Sequence, residues 1–200
     1  ILRIETAMHT ARISHISVDG AGQSLVTASD DKTLRVWEVS TGRLLRVLRP
    51  PIGQGNEGKM YAVAISPDGN TVAGAGWSGL EWDKTHSVYL FDKSSGRMLK
   101  RITGLPQSIP HLSFSPDGRI LLVTFHGKSG IRLYRTADSA LLAEDRDYQG
   151  ETYGASFDVS GRLVTASYDG FLRLYGRDFS LLAQTQVTGE KRPFAVSMTA

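Results

Sequence analysis

The stretch Ser29–Leu45, SDDKTLRVWEVSTGRLL, decides how this chain is read. Its acidic head and its Thr41-Gly42 pair are turn chemistry: short polar side chains bond back to the backbone, and glycine accepts a positive φ. Between them Leu34, Val36 and Trp37 fall in a short run rich in strand formers, and a second apolar run starts at Leu44. That is strand, turn, strand, with no catalytic pattern in it.

Working outward, the same lettering recurs. An apolar residue stands four positions before a glycine in VDGAGQ (Val18, Gly22), ISPDGN (Ile65, Gly69), FSPDGR (Phe114, Gly118) and FDVSGR (Phe157, Gly161). The glycines are 47, 49 and 43 residues apart, close to the roughly 40–45-residue period of a four-stranded propeller blade. Each unit divides into four short strands. Strand a ends at the glycine turn (SHISV, YAVAI, PHLSF, YGASF), and strand b follows it (SLVTAS, TVAGAG, ILLVTF, RLVTAS). Strand c ends on an aromatic (Trp37, Phe91, Tyr134, Tyr175), and strand d follows a polar turn (GRLLRVL, GRMLKRI, SALLAED, FSLLAQT). No stretch of three helical turns carries an apolar stripe, so the expected fold is all-β, a β-propeller of antiparallel four-stranded blades.

Composition agrees with a chain built of turns. It has 21 glycines in 200 residues, 40% hydrophobic and 22% charged residues, ordinary for a globular protein. The net charge of +3 is spread thinly over the strands, whereas nucleic-acid binding calls for a clustered basic stripe. No nucleic acid is therefore expected as partner. No apolar run approaches the roughly 18 residues of a membrane helix, and no membrane partner is expected either. With no cysteine, disulfides, thiolate metal sites and a cysteine nucleophile are excluded within these residues.

These residues resemble the WD-repeat family over essentially the whole chain. Ser29, Asp31 and Thr33 stand as SxDxT before Trp37, SPDG occurs twice, and SxD returns at Ser167 and Asp169. The resemblance implies a structural hydrogen-bonded set in blade one: His9, Thr27, Asp31 and Trp37. Blade four keeps Thr165 and Asp169, with Tyr175 in place of the tryptophan and no matching histidine. It also implies the blade limits: 9–48, 58–104, 108–145 and 152–187 for blades one to four. Residues 1–6 (ILRIET) read as an outer strand d of a preceding or closing blade, and 193–200 as the first strand of a fifth. The expectation is a portion of a larger ring, completed by further residues, another chain or self-association. The natural N-terminus is expected upstream of Ile1.

In such blades the d–a and b–c loops share one end. Two insertions fall there beside blade two: Arg49–Lys59 (RPPIGQGNEGK) and Trp77–Ser87 (WSGLEWDKTHS). Loops on a rigid frame are where binding concentrates, and an exposed tryptophan flanked by charge is the make-up of an interface hot spot. The expected partner-binding residues are Arg49, Asn56, Glu57, Lys59, Trp77, Glu81, Trp82, Asp83, Lys84 and His86. The plainer alternative has one tryptophan tucked over the blade-two edge or the Arg49–Lys59 loop.

Other candidates carry less. His15 and His111 share a column of strand a, but without carboxylates beside them they read as polar packing, not metal ligands. His9, Thr27 and Asp31 have the composition of a triad without a cleft. GQGNEG lacks the Lys-Ser/Thr of a phosphate loop. The doublets Lys100-Arg101 and Lys191-Arg192 sit on or near strand d, where charge discourages edge pairing. No metal, cofactor or catalytic residue is expected.

The expected function is a non-catalytic scaffold for protein–protein interaction, in the cytoplasm. One alternative is a sensing or targeting arm: LLRVLRPPIGQGNEGKMYAVAISPDG resembles the WD-repeat portions of bacterial proteins that also carry a caspase-like peptidase domain. A ligand-binding or enzymatic propeller is the remaining alternative.

Overall fold

The structure is a computed structural model that describes residues 7–78, 84–187 and 195–198. Its sixteen strands form four antiparallel four-stranded sheets, each in sequential order, with no helix among the described residues. Blade one is β1 (Ile13–Val18), β2 (Ser24–Ser29), β3 (Leu34–Glu38) and β4 (Leu44–Leu48). Blade two is β5 (Lys59–Ile65), β6 (Thr71–Trp77), β7 (His86–Asp92) and β8 (Met98–Leu105). Blade three is β9 (Leu112–Phe114), β10 (Ile120–Thr124), β11 (Ile131–Arg135) and β12 (Leu141–Asp145). Blade four is β13 (Thr152–Phe157), β14 (Leu163–Ser167), β15 (Phe171–Tyr175) and β16 (Leu181–Gln186). The chain divides into two compact units, Ile1–Gly104 and Leu105–Ala200, each described by itself below.

The repeat extends to its irregularities. The a–b pairing shifts by one residue at Ile13/His15, Met60/Ala62 and Thr152/Gly154. The c–d pairing shifts at Val36/Trp37, Leu133/Tyr134 and Leu174/Tyr175. Such bulges bend a strand and increase its twist, as a blade requires between its inner and outer strands. At the a–b turns, Gly22, Gly69, Gly118 and Gly161 all have φ between 66° and 85° and donate N–H to the carbonyl three residues back. An L side chain is disfavoured there.

Strand b is buried along nearly its whole length in every blade. In the first unit Val26, Leu34, Val36, Met60, Val63, Val72, Tyr89 and Phe91 form one buried cluster. Leu34 of blade one fits directly against Gly74 of blade two: a Cβ there would lie 2.2 Å from Leu34 Cδ1. In the second unit Leu122, Leu133, Tyr148, Leu163 and Tyr175 form the corresponding cluster. Strand d is the wet edge, and all six residues of β16 are exposed.

The inner strands are clipped together by histidine. His15 Nδ1 lies 3.2 Å from the Val63 carbonyl of the next blade, and His111 Nε2 lies 2.9 Å from the Ala155 carbonyl of its own next blade. A carbonyl only accepts, so both ring nitrogens donate. Desolvation lowers the His15 pKa more than the Val63 bond raises it, which favours the neutral ring. Gly154 makes a further close approach: a Cβ would stand 2.8 Å from Ala195 Cα. Residues 195–198 carry no strand assignment, and 1–6, 188–194 and 199–200 lie outside the described residues.

Candidate protein-binding rim and the networks beneath it

In blade one a polar chain runs from strand c to the loop before strand a. Trp37 Nε1–H donates to Thr27 Oγ1 at 2.9 Å, Thr27 Oγ1 lies 2.7 Å from His9 Nε2, and His9 Nδ1 lies 2.8 Å from Asp31 Oδ2. The Asp31 carboxylate only accepts, so His9 carries its proton on Nδ1, and in that neutral tautomer Nε2 accepts from the Thr27 hydroxyl. Asp31 also receives Thr33 Oγ1 at 2.6 Å, Thr33 N at 3.0 Å and Thr10 N at 3.1 Å. Burial pushes its pKa up, but bonds from Thr33, His9 and Thr10 outweigh this and hold it below the ordinary carboxylate value. Every polar side-chain atom of the set has a hydrogen-bond partner.

Blade four has a residue in the histidine slot that the sequence pattern does not reveal. Tyr148 precedes β13 by the same interval as His9 precedes β1, and its hydroxyl lies 2.8 Å from both Thr165 Oγ1 and Tyr175 OH. Tyr175 OH donates to Asp145 Oδ2 at 2.7 Å. With that proton committed, Tyr148 must donate to Tyr175, and Thr165 to Tyr148. Desolvation raises the Tyr148 pKa to about 12 and raises that of Tyr175 as well. Asp169 is held by Arg173 at 2.7 Å, the two side chains being 2% and 3% exposed. The Arg173 guanidinium lies 4.0 Å from the Tyr148 ring centroid and also donates to the Asp147 carbonyl at 2.8 Å.

At the b–c and d–a loop end of blade two, the two insertions meet. Gly58 N donates to the Trp77 carbonyl at 2.8 Å, and Lys59 pairs with Trp77 across β5 and β6. Lys32, in the b–c turn of blade one, donates to the Gly53 carbonyl at 2.9 Å. The 49–59 loop is a run of closed turns, Gly53 N to Glu57 O, Glu57 N to Gln54 O and Lys59 N to Asn56 O. The Glu57 carboxylate folds back over Gly53, and a Cβ there would have to displace it. Arg49 and Asn56 are exposed, while Glu57 and Lys59 are half-buried. The base of the second insertion is closed by Ser78 and Ser87: Ser78 Oγ donates to the Ser87 carbonyl at 2.7 Å and accepts from Ser87 N at 2.9 Å.

Trp77 stands at the mouth of that clamp, 43% exposed, with its ring edge-on to His86 at 5.9 Å and 89°. Lys84 is exposed, in the left-handed region at φ 51°. Glu81, Trp82 and Asp83 lie outside the described residues. The structure therefore brings Lys59, Trp77 and His86 together, with Arg49 and Asn56 on a pinned loop beside them.

Other placements differ from the sequence reading. Arg101 is not simply an exposed edge charge: it is half-buried and donates to Ser87 Oγ at 3.0 Å, bracing the clamp from β8. Lys191 and Arg192 lie outside the described residues. An aromatic group at the same loop end of the second unit was missed: His126 on Tyr153 at 5.3 Å, and Tyr153 on Tyr168 at 4.7 Å. Those residues are far apart in sequence and follow no periodic pattern. Desolvation lowers the His126 pKa and raises that of Tyr153. Among the described residues no group of three His, Cys, Asp or Glu could hold a metal, and no helix is long and apolar enough to cross a membrane.

Comparison with known proteins adds to this geometry. The profile of the WD domain, G-beta repeat, matches residues 4–38. The Ribosome biogenesis protein BOP1 homolog of Monosiga brevicollis is 62% identical over 40 residues, 20% of this chain and 5% of that protein. The Periodic tryptophan protein 2 homolog of Schizosaccharomyces pombe is 30% identical over 122 residues, 60% of this chain and 13% of that protein. Nuclear distribution protein nudF 2 of Penicillium rubens is 30% identical over 124 residues, 57% of this chain and 26% of that protein. The chain thus spans only a small part, at most about a quarter, of each of these relatives. The four four-stranded antiparallel sheets and these matches together mark the chain as similar to the WD-repeat family.

Proposed function

We propose that the chain is a protein-binding platform without chemistry of its own, working in the cytoplasm, and that its docking surface is the loop end of blade two. The observation that carries this is Trp77: a large aromatic left 43% exposed on a loop pair that is otherwise tied down by hydrogen bonds. Rigid aromatic area offered at low entropic cost is what a hot spot supplies. Arg49, Asn56, Lys59, Lys84 and His86 form its polar surround, with Glu57 shaping the loop, and Glu81, Trp82 and Asp83 belong to the same proposed set. The blade limits given above serve as the domain boundaries of this reading.

The test is site-specific photocrosslinking in the native host, with a crosslinker at position 84. A discrete adduct that disappears on Trp77→Ala, while the thermal melt of the variant is unchanged, supports the reading. A crosslinking pattern indifferent to Trp77→Ala removes it.

A further inference from the structure

An outer strand leaves one row of backbone N–H and C=O groups without a neighbouring strand. That row is a template on which another strand can add, and folded proteins blunt such edges with charge, proline or bulges. Each blade here ends on one: β4, β8, β12 and β16 stand last in their sheets. β4 (LLRVL) carries Arg46, β8 (MLKRITGL) carries Lys100 and Arg101, and β12 (LLAED) carries Glu144 and Asp145. Within each of these strands the charge has a single sign. β16 (LLAQTQ) has no charge and no proline, and all six of its residues are exposed.

The bulge in β16 does not blunt it either, because it lies at the start of the strand, opposite Leu174 and Tyr175. Beyond it Ala183, Gln184, Thr185 and Gln186 pair in unbroken register with Leu174, Arg173, Leu172 and Phe171. No described residue pairs with the outer row of this stretch.

Main-chain bonding alone would accept any extended segment; the charge pattern selects among them. Across a two-fold axis a strand meets itself reversed, and like charges directly opposite are destabilising. β4, β8 and β12 would each bring like charges together, whereas β16 would not. In the register that uses all four regular residues, the axis falls between Gln184 and Thr185. Each Gln184 then lies opposite Thr185 of the second copy, and each Ala183 opposite Gln186. Amide and hydroxyl both donate and accept, so the Gln184–Thr185 pair is compatible in either direction.

We propose that β16 is a self-association edge, independent of the blade-two rim, at which two copies of the chain pair antiparallel and join their fourth blades into one eight-stranded sheet.

The test is sedimentation equilibrium over a concentration series, with two double variants: Gln184→Lys with Thr185→Lys, and Gln184→Glu with Thr185→Glu. Both positions are exposed, and thermal melts check that the variants fold. A reversible monomer–dimer equilibrium is expected for the unsubstituted chain. Each double variant alone is expected to weaken it about tenfold, because like charges then oppose each other on both sides of the axis, and an equimolar mixture of the two is expected to restore it. A chain that stays monomeric, leaving the edge to an extended segment of another protein, overturns the proposal. So does a dimer that persists in both variants, as one joined through another surface would, or a mixture no tighter than either variant alone.

Discussion

In blade one, His9, Thr27, Asp31 and Trp37 close their hydrogen bonds within a single sheet and the loop that leads into it. In blade four, the chain that starts at Thr165 passes through Tyr148 and Tyr175 and ends on Asp145, which belongs to the outer strand of blade three. The carboxylate of the b–c turn is also held differently: Asp31 by hydroxyl, imidazole and amide donors with the buried Arg35 guanidinium 3.9 Å away, Asp169 by the buried Arg173 guanidinium at 2.7 Å. The same position in the repeat can therefore be satisfied locally or can be used to join two blades. Exchanging His for Tyr lengthens the reach of the side chain and removes a ring nitrogen that would need a partner.

The largest expected difference lies in the two carboxylates. Asp169→Ala strands Arg173 in a buried site and is expected to cost about 3–5 kcal/mol. Asp31→Ala also removes a carboxylate from beside a buried guanidinium, Arg35, but at 3.9 Å rather than 2.7 Å, and is expected to cost less, about 1–3 kcal/mol. Urea denaturation of both variants measures this, and equal losses would break the comparison. Next in size, Tyr148→Phe is expected to cost about 1–2 kcal/mol by interrupting the chain between Thr165 and Tyr175.

The pH profile separates the blades in a second way. The folded-state pKa of Tyr148 is raised from the ordinary 10.0 to about 12, so its stabilising contribution is complete below pH 10 and is lost as pH rises from 10 towards 12. Tyr148→Phe is expected to flatten that alkaline loss in a melting-temperature series. Asp31 and Asp169 are both lowered from 3.8; their contributions are complete above that value and are lost as pH falls through the folded pKa. Asp31→Asn and Asp169→Asn are each expected to reduce the acid loss. The smallest effect is expected at a turn: Ser139 occupies φ 63° where blade one has Gly42 at φ 68°. Ser139→Gly is expected to stabilise by about 0.5–1 kcal/mol, read as a rise in melting temperature.

The blades were legible in the sequence because their signals are local. Alternation along SLVTAS or FLRLY and a glycine four residues past an apolar position need no knowledge of tertiary structure. The network of blade four was not, because Tyr148 sits in an irregular d–a loop and its acceptor Asp145 belongs to another sheet. For the rim, charge and aromatic content marked the two insertions, but the clamp of Ser78 and Ser87 and the pinning of Gly58 to Trp77 depend on loops that meet only after β5 and β6 pair.

The most direct test is native-state hydrogen exchange on Asp145→Asn and Asp31→Asn. If the blade-four network joins two blades, Asp145→Asn accelerates exchange in both β12 and β15, while the effect of Asp31→Asn stays within β1–β3 and their turns. Acceleration confined to β12, or equal spreading from Asp31, would contradict the account.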